Sequence, residues 1–166
     1  YINNIEARED GGTPAFLQTI KAAMCMQLKD EMGVQQIQER EEELLSIIWK
    51  RFANIPNLVV LAEQHKKRLG VISFYINGLH FNVGVKLLND KFGIQVRGGC
   101  SCAGTYGHYL LNVTPETSGS ITSMISQGDC SLKPGWIRMS IHPTMTDAEL
   151  SFIMDSIETL AQHHQE

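Results

Sequence analysis

Apolar residues recur along this chain at two different periods, and the switches between them mark its elements. Phe16, Leu17, Ile20, Met24 and Leu28 fall three and four apart, which predicts a helix to about Glu31 with Gly33 as its stop. Thr13 stands where an N-cap belongs, and Pro14 suits the first helical position because it has no N–H to leave unpaired. Residues 1–12 read as an extended polar approach. A second helix is predicted over about Val34 to Ala53, with Ile37, Leu44, Leu45, Ile48 and Phe52 on one stripe and the acidic run from Glu39 to Glu43 on the solvated side.

The period then changes. Leu58 to Ala62 is a short apolar run, Glu63 to Leu69 a polar bend, and Val71 to Ile76 alternates, with Ile72, Phe74 and Ile76 on one face. These two strands are expected to form a hairpin closed by Asn77-Gly78. A helix of about Phe81 to Lys91 follows, with Val83, Leu87 and Leu88 inward and Gly93 at its end. Ile94 and Val96 alternate with Gln95 and Arg97, so a strand that buries the first two turns Arg97 to the opposite face.

From Tyr109 to Pro134 the pattern weakens into an excursion rich in Thr, Ser and Gly, with a helical hint around Ile121 to Ile125. Trp136 to Ile141 is again a strand, with Ile137, Met139 and Ile141 toward the core and Trp136, Arg138 and Ser140 away from it. Thr146-Asp147-Ala148-Glu149 is a capping box ahead of a last helix carrying Leu150, Ile153, Met154, Ile157, Leu160 and Ala161 inward, with His163 and His164 as a frayed tail. The order of elements predicts a single α+β domain: a small, mainly antiparallel sheet of about four strands covered by helices on one face. Both arginines point to the other face.

Composition narrows the class of partner. The 166 residues carry 14 Lys and Arg against 18 Asp and Glu, a net charge of −4, with no basic run, which argues against nucleic acid or an anionic membrane. Folding a chain of this length buries roughly 70% of its unfolded surface, enough for a core without disulfides. No apolar run is long enough to span a bilayer, and the start has neither a basic nor an apolar signal region. Four cysteines in that setting suggest a reducing compartment, and a cytoplasmic location is expected.

The densest chemistry lies between Val96 and His108, where Gly98, Gly99, Gly104 and Gly107 allow positive φ and close approach around Arg97, Cys100, Cys102 and His108. The Cys100-x-Cys102 pair suits a redox couple, half of a metal site, a nucleophile with a spectator, or simply a buried pair in a Gly-rich loop. Zinc needs about four ligands, and His108, Cys130 and His142 lack motif spacing, so no metal is expected. Arg97 and Arg138, from separate strands on one side, suit bidentate recognition of a carboxylate or a structural ion pair. Gly11-Gly12-Thr13 before a helix fits either a plain N-cap or an anion site at the positive end of the helix dipole.

Four strings taken together carry a resemblance: Glu9-Asp10-Gly11-Gly12-Thr13-Pro14, then Leu69 to Phe74 followed by Phe92-Gly93-Ile94-Gln95-Val96-Arg97-Gly98-Gly99-Cys100-Ser101-Cys102-Ala103, and Trp136 to Ser140. In order and spacing they resemble the C-terminal part of class V aminotransferases, nearest the cysteine desulfurase and selenocysteine lyase branch. The resemblance implies the small C-terminal domain of a pyridoxal 5'-phosphate enzyme that works as a homodimer on a cysteine-like amino acid. It implies that Cys102 takes up sulfur as a persulfide for a sulfur-acceptor protein, and that Arg138 binds the substrate α-carboxylate with Arg97 lining the same cleft. Thr13, with Gly12, would reach the cofactor phosphate of the partner subunit. Where many desulfurases have histidines just before the cysteine, this chain has Cys100 and Ser101. The cofactor-bearing lysine belongs to the family's large domain, and His65-Lys66 in the polar bend does not match it, so the isolated chain is expected to be inactive and the parent protein longer. The alternatives are a transaminase or other lyase with an idle cysteine, and a stand-alone dimerisation or thiol-redox module.

Overall fold

The computed structural model describes residues 2–164. They form seven helices and a four-stranded sheet in an α+β arrangement. The chain divides into two compact units, residues 1–39 and 40–166.

The first unit holds α1 (Ile5–Glu9), α2 (Phe16–Met32) and the start of α3 (Val34–Phe52). The predicted extended approach is in part helical, because Asn4 caps α1 by accepting a 3.0 Å hydrogen bond from the Ala7 N–H. Thr13 does not cap α2. Ala15 holds that position without a side-chain bond, since the Phe16 N–H donates to the Pro14 carbonyl at 2.8 Å in a tight turn that sets Thr13 apart from the first helical turn. Gly33, at φ +78°, ends the helix as expected. The apolar stripe Phe16, Leu17, Ile20, Met24 and Leu28 is exposed along its length.

In the second unit β1 (Leu58–Val60), β2 (Val71–Ile76), β3 (Arg97–Gly99) and β4 (Trp136–Ser140) pair antiparallel throughout in the order β1-β2-β4-β3. One face of the sheet is covered by α3, by α4 (Phe81–Phe92) and by α7 (Asp147–His163). Leu44, Ile48, Ile72, Phe74, Leu88, Ile137, Leu150, Met154 and Ile157 are fully enclosed there. Each such side chain contributes about 1.5–3 kcal/mol. Arg40 and Arg51 on α3 tie down α7 through Asp147 at 2.7 Å and through Asp155 and Glu158 at 2.6 and 2.8 Å.

The alternation of β2 and β4 and the capping box of α7 are as predicted, while several details differ for identifiable reasons. Asn77-Gly78 does not join the two strands; residues 61–70 do, and the turn at Gly78 (φ +84°) leads from β2 into α4. Val83 faces solvent at 48% exposure, because α4 rests on Gly84, where a Cβ would stand 2.7 Å from Ile137 Cδ1. Ile94 and Val96 do pack on the core, but the ladder starts only at Arg97. The excursion contains the end of α5 (Gly104–Leu110) and all of α6 (Pro115–Ser126), the latter capped by the Thr114 hydroxyl. Trp136, expected to face away from the core, is 4% exposed because Gly107 of α5 approaches its ring on the sheet's second face. In place of the expected frayed tail, α7 runs through His163, and the Nδ1 of His164 lies 3.0 Å from the Ala161 carbonyl.

Candidate active site

Strand register creates the site. Arg97 and Arg138 are direct cross-strand partners in β3 and β4, and Ser73 of β2 pairs with Arg138 on the far side. Residues directly opposite in adjacent strands share a face, so Ser73, Arg138 and Arg97 form one polar row away from the core. Sequence alternation put all three on the outward face; which strands become neighbours is a tertiary property.

The loop after β3 is a tight turn. The Ala103 N–H donates to the Cys100 carbonyl at 2.8 Å, and both central residues take positive φ, Ser101 at +50° and Cys102 at +62°. Positive φ at both central positions is the type I′ arrangement, usually filled by Asn and Gly. Of the four glycines that sequence suggested for this purpose, Gly99 alone adopts positive φ, at +104°. Gly98 and Gly107 serve close packing instead, with the Phe81 and Val85 side chains and with Trp136.

The two thiols are placed differently. Cys102 is exposed at the turn, with its Sγ accepting from Arg97 Nη2 at 3.9 Å. Cys100 is half-buried and donates to the Pro134 carbonyl at 3.2 Å. Burial pushes the Cys100 thiol above its ordinary pKa, with nearby Lys133 opposing the shift, so it stays a neutral S–H donor. It borders a cavity of about 150 Å³ whose other walls include His108, Leu111, Ser118, Ile121 and Lys133. All four cysteines are free, and the described residues contain no cluster suited to a metal ion.

Three buried polar atoms around this loop and strand have no hydrogen-bond partner among the described residues: Ser101 Oγ, Trp136 Nε1 and Arg138 Nε. A buried donor left unpaired costs about 1–3 kcal/mol, so such a concentration marks a place organised for something other than stability. Ser101 carried no signal in sequence, since nothing in a Cys-Ser-Cys string reports a left-handed backbone.

The structure therefore brings Cys102, Arg97 and Arg138 together. Gly12 and Thr13 lie in the first unit, in the exposed connection between α1 and α2, where Gly12 has φ +142° and no side chain caps the helix. Among the described residues no helix is long and apolar enough to cross a membrane.

Comparisons with known proteins agree on one group. The aminotransferase class V family matches residues 2–153. A probable cysteine desulfurase of Synechocystis sp. is 30% identical over 114 residues, covering 68% of this chain and 27% of that protein. A cysteine desulfurase of Cronobacter sakazakii is 32% identical over 96 residues, covering 58% and 23%. The apo cysteine desulfurase of Thermococcus onnurineus superposes with a TM-score of 0.66 at 24% identity, over 93% of this chain and 33% of that one, and so shares the fold. The chain thus spans about a quarter of the length of these curated relatives.

Proposed function

Because the chain belongs to the class V aminotransferase family, we propose that it forms the small domain of a pyridoxal 5'-phosphate enzyme that removes sulfur from a cysteine-like amino acid. The observation that carries this reading is the contact of an exposed thiol, Cys102, with the Arg97 guanidinium, on a strand paired residue for residue with the one that bears Arg138.

Arg138 is the carboxylate receptor. Its Nε is buried and unpartnered, so a carboxylate oxygen that reached it would satisfy a donor and gain a charge-assisted bond together. Arg97 has a different task. Its Nη2 lies against the Cys102 sulfur and orients it at the turn. Cys102 is then the sulfur acceptor: its sulfur forms an S–S bond to the substrate sulfur as the substrate C–S bond breaks, the electron pair of that bond and a proton going to the carbon to leave alanine, and the persulfide sits at an exposed turn open to an acceptor thiol. Cys100, held protonated on the Pro134 carbonyl, anchors the base of the turn and is not the nucleophile.

The residues present fit part of the cofactor. The N-terminus of α2 has no side-chain cap, a Cβ at Gly12 would meet nothing within 4 Å, and Thr13 beside it is exposed, which leaves room for a phosphate end. When bound, pyridoxal phosphate supplies the electron sink that lets the substrate C–S bond break. Its lysine and ring contacts would come from residues beyond these 166, in keeping with the share of the relatives that the chain spans.

The test is Cys102→Ala in the cofactor-loaded protein that carries this chain. Sulfide release from cysteine should stop while the cofactor absorbance is unchanged. Sulfide release that survives, or passes to Cys100→Ala as the damaging change, overturns the assignment. Keto-acid formation in place of alanine would identify a transaminase.

A further inference from the structure

A second concavity in the unit of residues 40–166 has no part in the thiol chemistry. It encloses about 490 Å³ between α3 and the 61–70 connection, with Leu45 and Trp49 as its apolar side and Lys50, Lys66, Lys67 and Arg68 around it. Four of the chain's 14 cationic side chains therefore gather at one groove of a protein whose net charge is −4. None of the four is ion-paired to a described acidic residue.

The geometry shows how the cluster is kept together. Arg68 donates to the carbonyls of His65, Leu61 and Ala62, which fixes the connection, and its guanidinium carbon stands 5.2 Å from the Trp49 ring centroid. Lys66 Nζ is 5.9 Å from the same centroid. The indole thus steadies two cations, an arrangement that offsets some of their mutual repulsion. Lys50 and Lys67 remain free to meet an incoming anion.

We propose that this groove docks an acidic peptide segment of a partner protein, with carboxylates on Lys50, Lys66 and Lys67 and an apolar side chain against Trp49. Charge selects this occupant. A second copy of the chain would bring the same four cations and a single lining glutamate, Glu42, so like would face like. Nucleic acid draws its affinity from neutralising many phosphates along a basic track, and four cations at one groove make a short one. This docking role is independent of the desulfurase reading.

Fluorescence anisotropy of a labelled short peptide, Asp and Glu flanking one leucine, tests it on the 166-residue chain. The double variant Lys66→Glu/Lys67→Glu should bind at least about tenfold more weakly, because each change removes an attraction and adds a repulsion. The charge-matched control Lys86→Glu/Lys91→Glu, on α4, should stay within about twofold, and added salt should weaken binding by screening. Equal loss in both double variants would reduce the effect to net charge and overturn the site. Equal binding of the Asn and Gln version of the peptide, or of a version with serine for leucine, would overturn it too.

Discussion

Arg97 and Arg138 stand opposite one another across β3 and β4, two like charges at directly paired positions. Such pairing is unfavourable by about 0.2–1 kcal/mol, and the unpartnered Nε of Arg138 adds the cost of a buried donor. On the reading proposed above, the cost is offset when Arg138 receives a carboxylate, while Arg97 stands against the Cys102 sulfur.

Stability and binding should therefore move in opposite directions at position 138. Arg138→Met should raise the free energy of unfolding by roughly 0.5–1 kcal/mol in urea titrations. In the cofactor-loaded parent, loss of the charge-assisted bonds should lower kcat/KM by about 1.5–3 kcal/mol, roughly ten- to a hundredfold. A variant that loses stability and keeps its kinetics would return Arg138 to a structural role.

The thiols should separate by reactivity. Iodoacetamide followed by peptide mass spectrometry should mark exposed Cys102 well before Cys100, whose thiol burial holds in the protonated form. Labelling of Cys100 should rise only at more alkaline pH. Lys133→Ala should push that onset higher still, since Lys133 is the group that lowers it.

Glycines near the turn should differ sharply in their tolerance of a methyl group. A Cβ at Gly135 would lie 2.7 Å from the Phe81 ring and 2.9 Å from the Gly99 backbone, so Gly135→Ala should cost about 1–3 kcal/mol by overpacking. At Gly104 a Cβ meets nothing within 4 Å, and the residue begins α5. Gly104→Ala should leave the melting temperature unchanged or raise it slightly by reducing the freedom of the unfolded chain.

The cap of α7 should register in acid. Glu149 is held below the ordinary carboxylate range by hydrogen bonds from the Thr146 N–H and hydroxyl, each 2.8 Å. A carboxyl depressed in the folded state stabilises the fold above its unfolded pKa, and that contribution is lost as pH falls through the ordinary range toward the folded value. Glu149→Gln, compared with the parent by urea denaturation at neutral and acid pH, should be less stable at neutral pH and lose less on acidification.

Which parts could be read from sequence follows from how local their causes are. β2 and α7 announce themselves, since alternation at Ile72, Phe74 and Ile76 and the Thr146 to Glu149 box are short-range signals. α6 was nearly silent, because Ser, Thr and Gly blur its apolar period, although Thr114-Pro115 was a usable start signal. The face of α4 departs from its apolar pattern at Val83, since nothing local shows that Gly84 would let Ile137 in. At the site, Cys102 and the arginines stood out by chemistry, while the left-handed Ser101 and Cys102 did not. There a side chain normally excluded from positive φ is tolerated, and propensity points the other way.

Phe81 belongs to two assemblies at once. It is part of the hydrophobic core, and its ring is also the surface on which the glycine backbone at residues 98, 99 and 135 lies. The turn that carries Cys102 thereby inherits its coordinates from the interior of the domain. Enlarging or shrinking another core residue such as Leu88 or Ile137 would reach the thiol as a displacement, without any change to the turn's own residues.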